Sequence, residues 1–413
     1  MKEVSFNGLL IVTVVALSAP IVVAAIRWVR FPSPVLEIIA GIAIGPAGLG
    51  WVKVDPPIQI LSLVGLAFLL FLAGLDIDLM SLKGRVLQLS FAGFVLSLVL
   101  GLAAAALFQS LGWVRSPFFV AVVLAATSLG LVVPVLKDAN RLDTTLGHLA
   151  VGGASVAEFG TVILLSFFFS QSRGSAASKV VAFAAFVLVV LTIGVALPRA
   201  GRSVRVNGLL IRLQDTTAEL RVRAAVALLI GFVALAAEVG LQTILGAFIA
   251  GVILSSVDRD SRNHPTFRSK LDAIGYGFVI PVFFVATGLR FDVHALTANP
   301  SAILRVPLFL LAILLARGLP AALYRREVGS RGVFVAAFLQ ATTLPFIVTA
   351  TTIGVAIEAI RPVTGAALVA AGVLSVIFFP SIALTIAGPT KTATATTAIQ
   401  AKRPRPVQCS RGN

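Results

Sequence analysis

The chain has 413 residues, of which 58% are hydrophobic and 12% are charged, and its mean hydropathy is +1.02. Apolar runs on this scale exclude an ordinary soluble domain and indicate transmembrane helices. The net charge of +16 does not indicate a nucleic-acid partner, because the charges lie in loops between the apolar segments, and the lone Cys409 excludes a disulfide framework.

Hydropathy predicts an all-α polytopic membrane protein with thirteen spans. The residues from about 388 onward are rich in Thr, Ala, Pro and Arg, and we expect them to form a disordered tail. The predicted spans, placed to within several residues, are 6–27, 33–50, 57–75, 86–110, 117–137, 144–170, 178–198, 220–237, 239–256, 273–289, 302–323, 332–354 and 362–387.

The basic residues predict the orientation in the membrane. Of the 33 Lys and Arg residues, 24 lie in the loops that follow odd-numbered spans or in the tail, and 8 lie on the opposite side. Loops rich in Lys and Arg stay in the cytoplasm. We therefore expect a cell-membrane protein with its N-terminus outside and its C-terminus in the cytoplasm.

A short pattern inside two of the spans indicates a duplication. Ala-Thr-Ser-Leu at 126–129 recurs as Ala-Thr-Thr-Leu at 341–344, at an offset of 215 residues. Two further matches keep nearly this offset: Gly-Leu-x-x-Asp at 74–78 and 288–292, and Ala-Gly at 40–41 and 250–251.

The duplication predicts two inverted repeats. The matched spans are seven apart, an odd number, so the two copies cross the membrane in opposite senses. Pro134 and Pro345 follow the two copies of the pattern, and such interruptions inside a span free backbone groups that lipid cannot satisfy. We therefore expect spans 5 and 12 to be broken near Thr127-Ser128 and Thr342-Thr343, and to cross at a binding site near the midplane.

Glu158 is the strongest candidate for the chemistry, because it lies near the middle of span 6. A carboxylate at that depth costs about 2.5–3.5 kcal/mol, so it is normally functional or paired. Burial favours the protonated form of a carboxyl group, which suits alternate binding of a proton and a cation. Ser155 in the same span is assigned to the same ion site, and the alternative role for Glu158 is a structural ion pair.

The hydroxyl groups at the two expected breaks form a second group of candidates. Their side-chain or carbonyl oxygens could bind a hard cation such as Na⁺. The alternative is that the hydroxyls stabilise the helix breaks by bonding back to their own helices. These candidates are Thr127, Ser128, Thr342 and Thr343.

Arg317 is the only basic residue that lies deep inside a predicted span, because the others within the predicted bounds are at most three residues from a span end. It could pair with Glu158 or neutralise the carbonyl end of a broken helix, and it cannot carry the proton because its guanidinium stays charged. The alternative is a side chain that snorkels to the membrane surface from nearer the end of its span.

Four segments give the chain a resemblance to the Kef/Nap-type monovalent cation:proton antiporter family: 35–46, 71–78, 237–251 and 283–292. The resemblance covers about 1–387 and implies thirteen helices, a homodimer and a core domain that moves like an elevator. It implies a core formed by 86–170 and 302–387 and a dimer scaffold formed by 6–75 and 220–289. The repeat leaves 178–198 as a linker helix, and the composition leaves 388–413 as a separate tail.

The chain departs from that family at its ion site. The family carries Asp-Asp or Asn-Asp where this chain has Ala157-Glu158, and often a lysine where it has Arg317. A single acid at the site predicts exchange of one proton for one monovalent cation, without net charge movement.

These observations favour a secondary antiporter that exchanges Na⁺ or K⁺ for H⁺ and needs no cofactor. A phosphate-binding loop of the form G-x-x-x-x-G-K-[ST] is absent from the sequence, which disfavours an ATP-driven pump. The alternatives are a carrier of organic anions, in which Arg317 would bind a carboxylate, and a membrane scaffold or sensor that does not transport.

Overall fold

A computed structural model describes residues 6–25, 33–77, 83–169, 176–201, 219–257, 265–291, 293–297 and 300–388. Its helices in chain order are α1 (Asn7–Ala25), α2 (Ser33–Ile44), α3 (Pro56–Leu75), α4 (Gly84–Ser110), α5 (Pro117–Leu124), α6 (Leu129–Asp138), α7 (Thr145–Phe168), α8 (Ala176–Gly201), α9 (Leu220–Glu238), α10 (Thr243–Val257), α11 (Pro265–Ile274), a π-helical turn (Gly275–Val279), α12 (Ile280–Leu289), α13 (Val293–Thr297), α14 (Pro300–Gly318), a 3₁₀ turn (Leu319–Tyr324), α15 (Arg325–Gln340), α16 (Pro345–Ala356) and α17 (Pro362–Ala387).

The all-helical membrane fold predicted from hydropathy is confirmed. Within the described residues, eight helical stretches are long and apolar enough to cross a membrane, and five shorter apolar helices accompany them. Each predicted span overlaps at least one of these stretches, and the span 332–354 overlaps two of them. The predicted tail lies outside the described residues, apart from Gly388 at the end of α17.

Several helix ends differ from the predicted ends for local reasons. α2 ends at Ile44 instead of 50, where Gly45-Pro46 follows. The tenth span begins with the polar helix α11, eight residues before its predicted start. α15 also begins early, but Gly329 has φ +68° and separates a polar first turn from the apolar part of the helix. Hydropathy marks the part of a helix that lies in the membrane, and the helix itself can extend beyond it.

Contacts through glycines reveal the inverted symmetry in three dimensions. A β-carbon added to Gly41 of α2 would collide with the backbone carbonyl of Val285 on α12. The matching residue in the second half, Gly251 of α10, would collide in the same way with the carbonyl of Phe71 on α3. The two contacts are related by the offsets that relate the repeated motifs in the sequence.

The reciprocal contacts are related by the same sequence offsets. A β-carbon on Gly288 would meet the carbonyl of Ile38, and one on Gly74 would meet the carbonyl of Phe248. The α2–α12 and α3–α10 pairs are therefore packed backbone to backbone, as small residues allow in membranes. α9 packs on α10 and α1 packs on α2, so these helices form one packed group.

A second packed group contains the two breaks. α4 lies against α5, α7 and α14, and α17 lies against α14, α15 and α16. The first break separates α5 from α6, and the second separates α15 from α16. The backbone N–H of Ser128 donates to the carbonyl of Thr342 across the two breaks, with a distance of 3.2 Å. The predicted breaks and their crossing are thus confirmed.

Candidate functional site

The first break arises where apolar helix-forming residues give way to hydroxyl residues. α5 starts at Pro117, with the Ser116 hydroxyl accepting from the N–H of Phe119, and ends after eight residues. Ser128 is extended, with φ −97° and ψ 109°, and the chain turns into α6 at Leu129. The first N–H groups of α6 have no partner within their own helix, so the break presents donors and a partial positive charge inside the protein.

Glu158 lies directly on these donors. Its Oε2 accepts a hydrogen bond from the N–H of Leu129 at 2.9 Å, and the residue is only 4% exposed. Its neighbour Ala157 is fully buried and offers no polar atom on its side chain. A single carboxyl group is therefore held at the positive end of a half-helix, in the middle of the membrane fold.

The second break is capped differently. α16 begins at Pro345, which lacks an N–H, and the preceding Leu344 has non-helical φ −141° and ψ −56°. The hydroxyl of Ser375 on α17 accepts from the N–H of Thr343 at 3.2 Å and lies 2.9 Å from the carbonyl oxygen of the same residue. Ser375 thus bonds to the backbone of the second break one position before Leu344, the residue that matches Leu129 in the repeat.

Arg317 is fully inside the protein, at 1% exposed, so it does not snorkel to the surface. Its Nε donates to Thr127 at 2.6 Å, its Nη1 donates to Ser97 at 2.9 Å, and its Nη2 donates to the carbonyl of Gly153 at 3.3 Å. These contacts tie α14 to α4, to α7 and to the first break. Among the described residues, Arg317 forms no ion pair with Glu158.

Thr127 connects Arg317 to the second break through hydrogen bonds. The Thr127 hydroxyl donates to the carbonyl of Gln340, the last residue of α15, at 2.6 Å. Gln340 in turn donates from Nε2 to the hydroxyl of Tyr324 at 2.9 Å. A β-carbon on Gly153 would collide with this amide, so the network requires glycine there. Arg317 is thus linked to the carbonyl end of α15 through one hydroxyl, and its neutralising role there stays a prediction.

The other hydroxyl candidates have different surroundings. Thr342 donates to the carbonyl of Phe338 in its own helix at 3.0 Å, as the helix-stabilising alternative describes. The Oγ1 of Thr343 is buried and has no hydrogen-bond partner among the described residues. Ser128 and Ser155 are 3% and 2% exposed and lie on the same two elements as Thr127 and Glu158.

Several polar residues of the site were not predicted from the sequence. Ser97, Gln340 and Ser375 are all buried, at most 1% exposed. In the sequence, each of the three appears as a polar residue inside an apolar span. Many such residues only form a hydrogen bond within their own helix, so this pattern alone does not mark a site. Partnership across residues more than 30 positions apart cannot be read from one sequence.

One residue of the neighbouring helix group also approaches the first break, and another is held by an ion pair at a helix end. Tyr276 lies on the π-helical turn, and its hydroxyl is 3.7 Å from the place of a β-carbon on Gly130 in the first turn of α6. Asp76 follows α3 and forms an ion pair of 2.8 Å with Arg268, which also bonds to Asp272. Asp76 therefore has the structural role of an anchor at a helix end.

Comparison with known proteins places this geometry in a family. The family model described as "Sodium/hydrogen exchanger, transmembrane" matches residues 13–387. A putative Na⁺/H⁺ antiporter of Bacillus subtilis is 32% identical over 402 residues, which make up 92% of this chain and 63% of that protein. A probable Na⁺/H⁺ antiporter of Methanocaldococcus jannaschii is 30% identical over 65% of this chain and 67% of its own length.

A more distant relative and a solved structure extend the comparison. A glutathione-regulated potassium-efflux system protein of Escherichia fergusonii is 28% identical over 68% of this chain and 44% of its own length. The structure of a sodium proton antiporter from Methanocaldococcus jannaschii superposes with a TM-score of 0.64 at 19% identity. The superposition covers 92% of this chain and 97% of that structure, and it establishes a shared fold.

Proposed function

The chain belongs to the sodium/hydrogen exchanger transmembrane family, and from that premise we propose that it exchanges Na⁺ or K⁺ for H⁺ across a membrane by alternating access. The observation that carries the proposal is the buried carboxyl of Glu158 at the start of α6. Relatives bearing the names of Na⁺/H⁺ antiporters and of a potassium-efflux protein support the same class of substrates.

Glu158 is proposed to bind the proton and the cation in turn. With a cation present, the carboxylate supplies the neutralising charge, and the N–H of Leu129 holds the second oxygen in place. Without a cation, a proton neutralises the carboxyl group, because an isolated charge at that depth is costly. Since either ion leaves the site neutral, the loaded site can move between the two membrane faces, whereas the empty charged site is held back.

Oxygen atoms at the crossing are proposed to complete the cation shell. Hard monovalent cations take carboxylate, hydroxyl and carbonyl oxygens as ligands. The unpartnered Oγ1 of Thr343 is available for such a contact. Thr127, Ser128, Ser155 and Thr342 are the further candidates, through hydroxyl or backbone oxygens.

Arg317 is proposed to support this site electrostatically without carrying protons. Its guanidinium is held by three groups of the protein, and arginine does not deprotonate in proteins. The same occupancy argues against the organic-anion carrier, because that function requires a guanidinium that is open to a substrate carboxylate.

The larger arrangement is proposed to follow the two helix groups. Residues 86–170 and 302–387 would form the moving core, 6–75 and 220–289 the scaffold of a homodimer, and 178–198 the linker. The glycine contacts within the scaffold and the polar network within the core support this division, because each group is tied internally. The basic loops support an N-terminus outside and a C-terminus in the cytoplasm.

The test replaces Glu158 with Gln. Glutamine keeps an oxygen for the N–H of Leu129 and removes the charge and the titration, so the fold should persist and exchange should be lost. The measurement is cation-driven dequenching of a pH dye in everted vesicles, with K⁺ and Na⁺ supplied separately and membrane expression quantified. Glu37→Gln is the matched control, because Glu37 is also 4% exposed but lies on α2 in the other helix group.

We expect Glu37→Gln to retain exchange and Glu158→Gln to show none at wild-type expression. Retained exchange in Glu158→Gln would remove this residue from the mechanism. Absence of exchange in the wild-type protein with both cations would contradict the antiport function itself.

A further inference from the structure

Three arginines gather at the membrane end where α4 stops and where α5, α14 and α17 start. They are Arg115, Arg305 and Arg361. Among the residues that the structure describes, the carboxylate of the cluster is that of Glu358, which faces Arg115 with an N–O distance of 3.8 Å. The cluster therefore keeps a net positive charge, on the side of the protein that has few basic residues.

Hydrogen bonds hold the three segments of the cluster together. The Thr364 hydroxyl donates to the carbonyl of Trp113 at 2.7 Å and accepts from Nη1 of Arg305 at 3.3 Å. The N–H of Ser116 donates to the carbonyl of Ala359 at 3.2 Å. The backbone segments that carry the three arginines are thus held next to each other.

Two of the arginines have unused hydrogen-bonding capacity. The guanidinium of Arg305 lies 5.1 Å from the centre of the Trp113 ring, and its bond to Thr364 is the one hydrogen bond it makes to a described residue. Arg361 is exposed, and its side chain makes no hydrogen bond or ion pair within the described part of the chain. Arg361 lies three residues before Thr364, the hydrogen-bond partner of Arg305, at the start of α17, so an anion between the two guanidinium groups would relieve the repulsion of their like charges.

Apolar side chains continue from the cluster along the same two helices. Leu107 near the end of α4 is 60% exposed, and Leu311 and Leu315, which follow Arg305 along α14 into the membrane, are 49% and 44% exposed. α4 and α14 pack against each other. Tryptophan prefers the level of the lipid headgroups, and Trp113 lies at the boundary between this apolar surface and the arginines.

We propose that this cluster is a binding site for an anionic phospholipid of the adjoining leaflet. The phosphate would lie between Arg305 and Arg361, with the acyl chains along the exposed residues of α4 and α14. Guanidinium groups suit phosphate because their planar N–H donors match its oxygens. The site does not include Glu158, so a failure of this proposal can be distinguished from a failure of the antiport function.

Trp113 provides the reporter for the test. Trp28→Phe and Trp51→Phe leave Trp113 as the one tryptophan of the chain. This protein is reconstituted into vesicles that contain equal small fractions of brominated phosphatidylglycerol or brominated phosphatidylcholine, and quenching of its fluorescence is compared. We expect stronger quenching by phosphatidylglycerol, and a preference that falls about fivefold when Arg361 becomes Gln, since each arginine near an anionic surface contributes about that factor.

Three comparisons decide the outcome. Arg305→Gln/Arg361→Gln should remove the preference, whereas Arg325→Gln/Arg326→Gln, two exposed arginines of α15, should keep it. Equal quenching by both lipids in the parent protein would overturn the proposal. Loss of the preference on adding inorganic phosphate at constant ionic strength would also overturn it, because the site would then recognise a free anion. If the double variant fails to fold, Arg361→Gln alone tests the same point, because Arg361 is exposed and holds no described partner.

Discussion

The two helix breaks occupy matching places in the two halves of the chain, yet they are capped by different chemistry. At the first break a carboxylate on α7 meets the N–H of Leu129, and at the second a hydroxyl on α17 meets the N–H of Thr343. The second half-helix also starts with a proline, which removes one of the donors that would need a partner. Duplication therefore built the frame of both breaks, whereas the carboxyl group that contacts a break belongs to one half alone.

Removing Arg317 should have the largest effect on this arrangement. Arg317→Ala leaves Thr127, Ser97 and the carbonyl of Gly153 without a buried donor, and should cost at least about 3 kcal/mol. We expect a lower Tm in detergent and a loss of exchange. Arg317→Lys keeps the charge and should retain part of both.

Arg325→Ala is the control for loss of a positive charge, because Arg325 is exposed at the start of α15. An Arg317→Ala protein with the Tm and exchange rate of the wild type would show that the hydrogen bonds of Arg317 neither stabilise the first break nor support exchange.

Ser375→Ala tests the second break and should have an intermediate effect. It removes the acceptor for the N–H of Thr343, and an unsatisfied buried donor costs about 1–2 kcal/mol. We expect a modest fall in Tm and exchange that persists, because this break holds no titrating group. If Ser375→Ala abolished exchange at an unchanged Tm, the two breaks would share the ion chemistry equally.

The membrane potential should have the smallest effect. Each charge moved across 100 mV is worth about 2.3 kcal/mol, so an exchanger that moves net charge responds clearly to voltage. With Glu158 as the one acid at the breaks, one proton replaces one monovalent cation, and the exchange equilibrium in proteoliposomes should not shift with an imposed potential. A marked shift would reveal a second proton site, for which the buried Glu37 is the first residue to examine.

Much of the fold could be predicted because the membrane imposes simple rules. Continuous apolar segments mark the spans, and the repeat of Ala-Thr-Ser-Leu marks both breaks within the sequence itself. Glu158 and Arg317 stand out because charge is rare at that depth. Each of these signals is contained in one short segment, so it can be recognised in a single sequence.

The pairing of the site residues could not be predicted for the opposite reason. Arg317 bonds to Thr127 across 190 positions and to Ser97 across 220 positions, and its pairing with Glu158 was an equally reasonable hypothesis. Ser375 has no distinct signal in the sequence, because its hydrogen bonds to the backbone of Thr343 span 32 positions. The roles of these residues in transport stay predictions until the variants are measured.

The glycine contacts of the scaffold also bear on how this sequence can evolve. Gly41 and Gly251 each face a backbone carbonyl of the other half, and a backbone carbonyl is present whatever residue occupies the facing position. A larger residue at either glycine can therefore not be compensated by a second substitution opposite to it. Suppressor screens that start from Gly41→Ala or Gly251→Ala should return revertants to glycine, or distant changes that shift a whole helix.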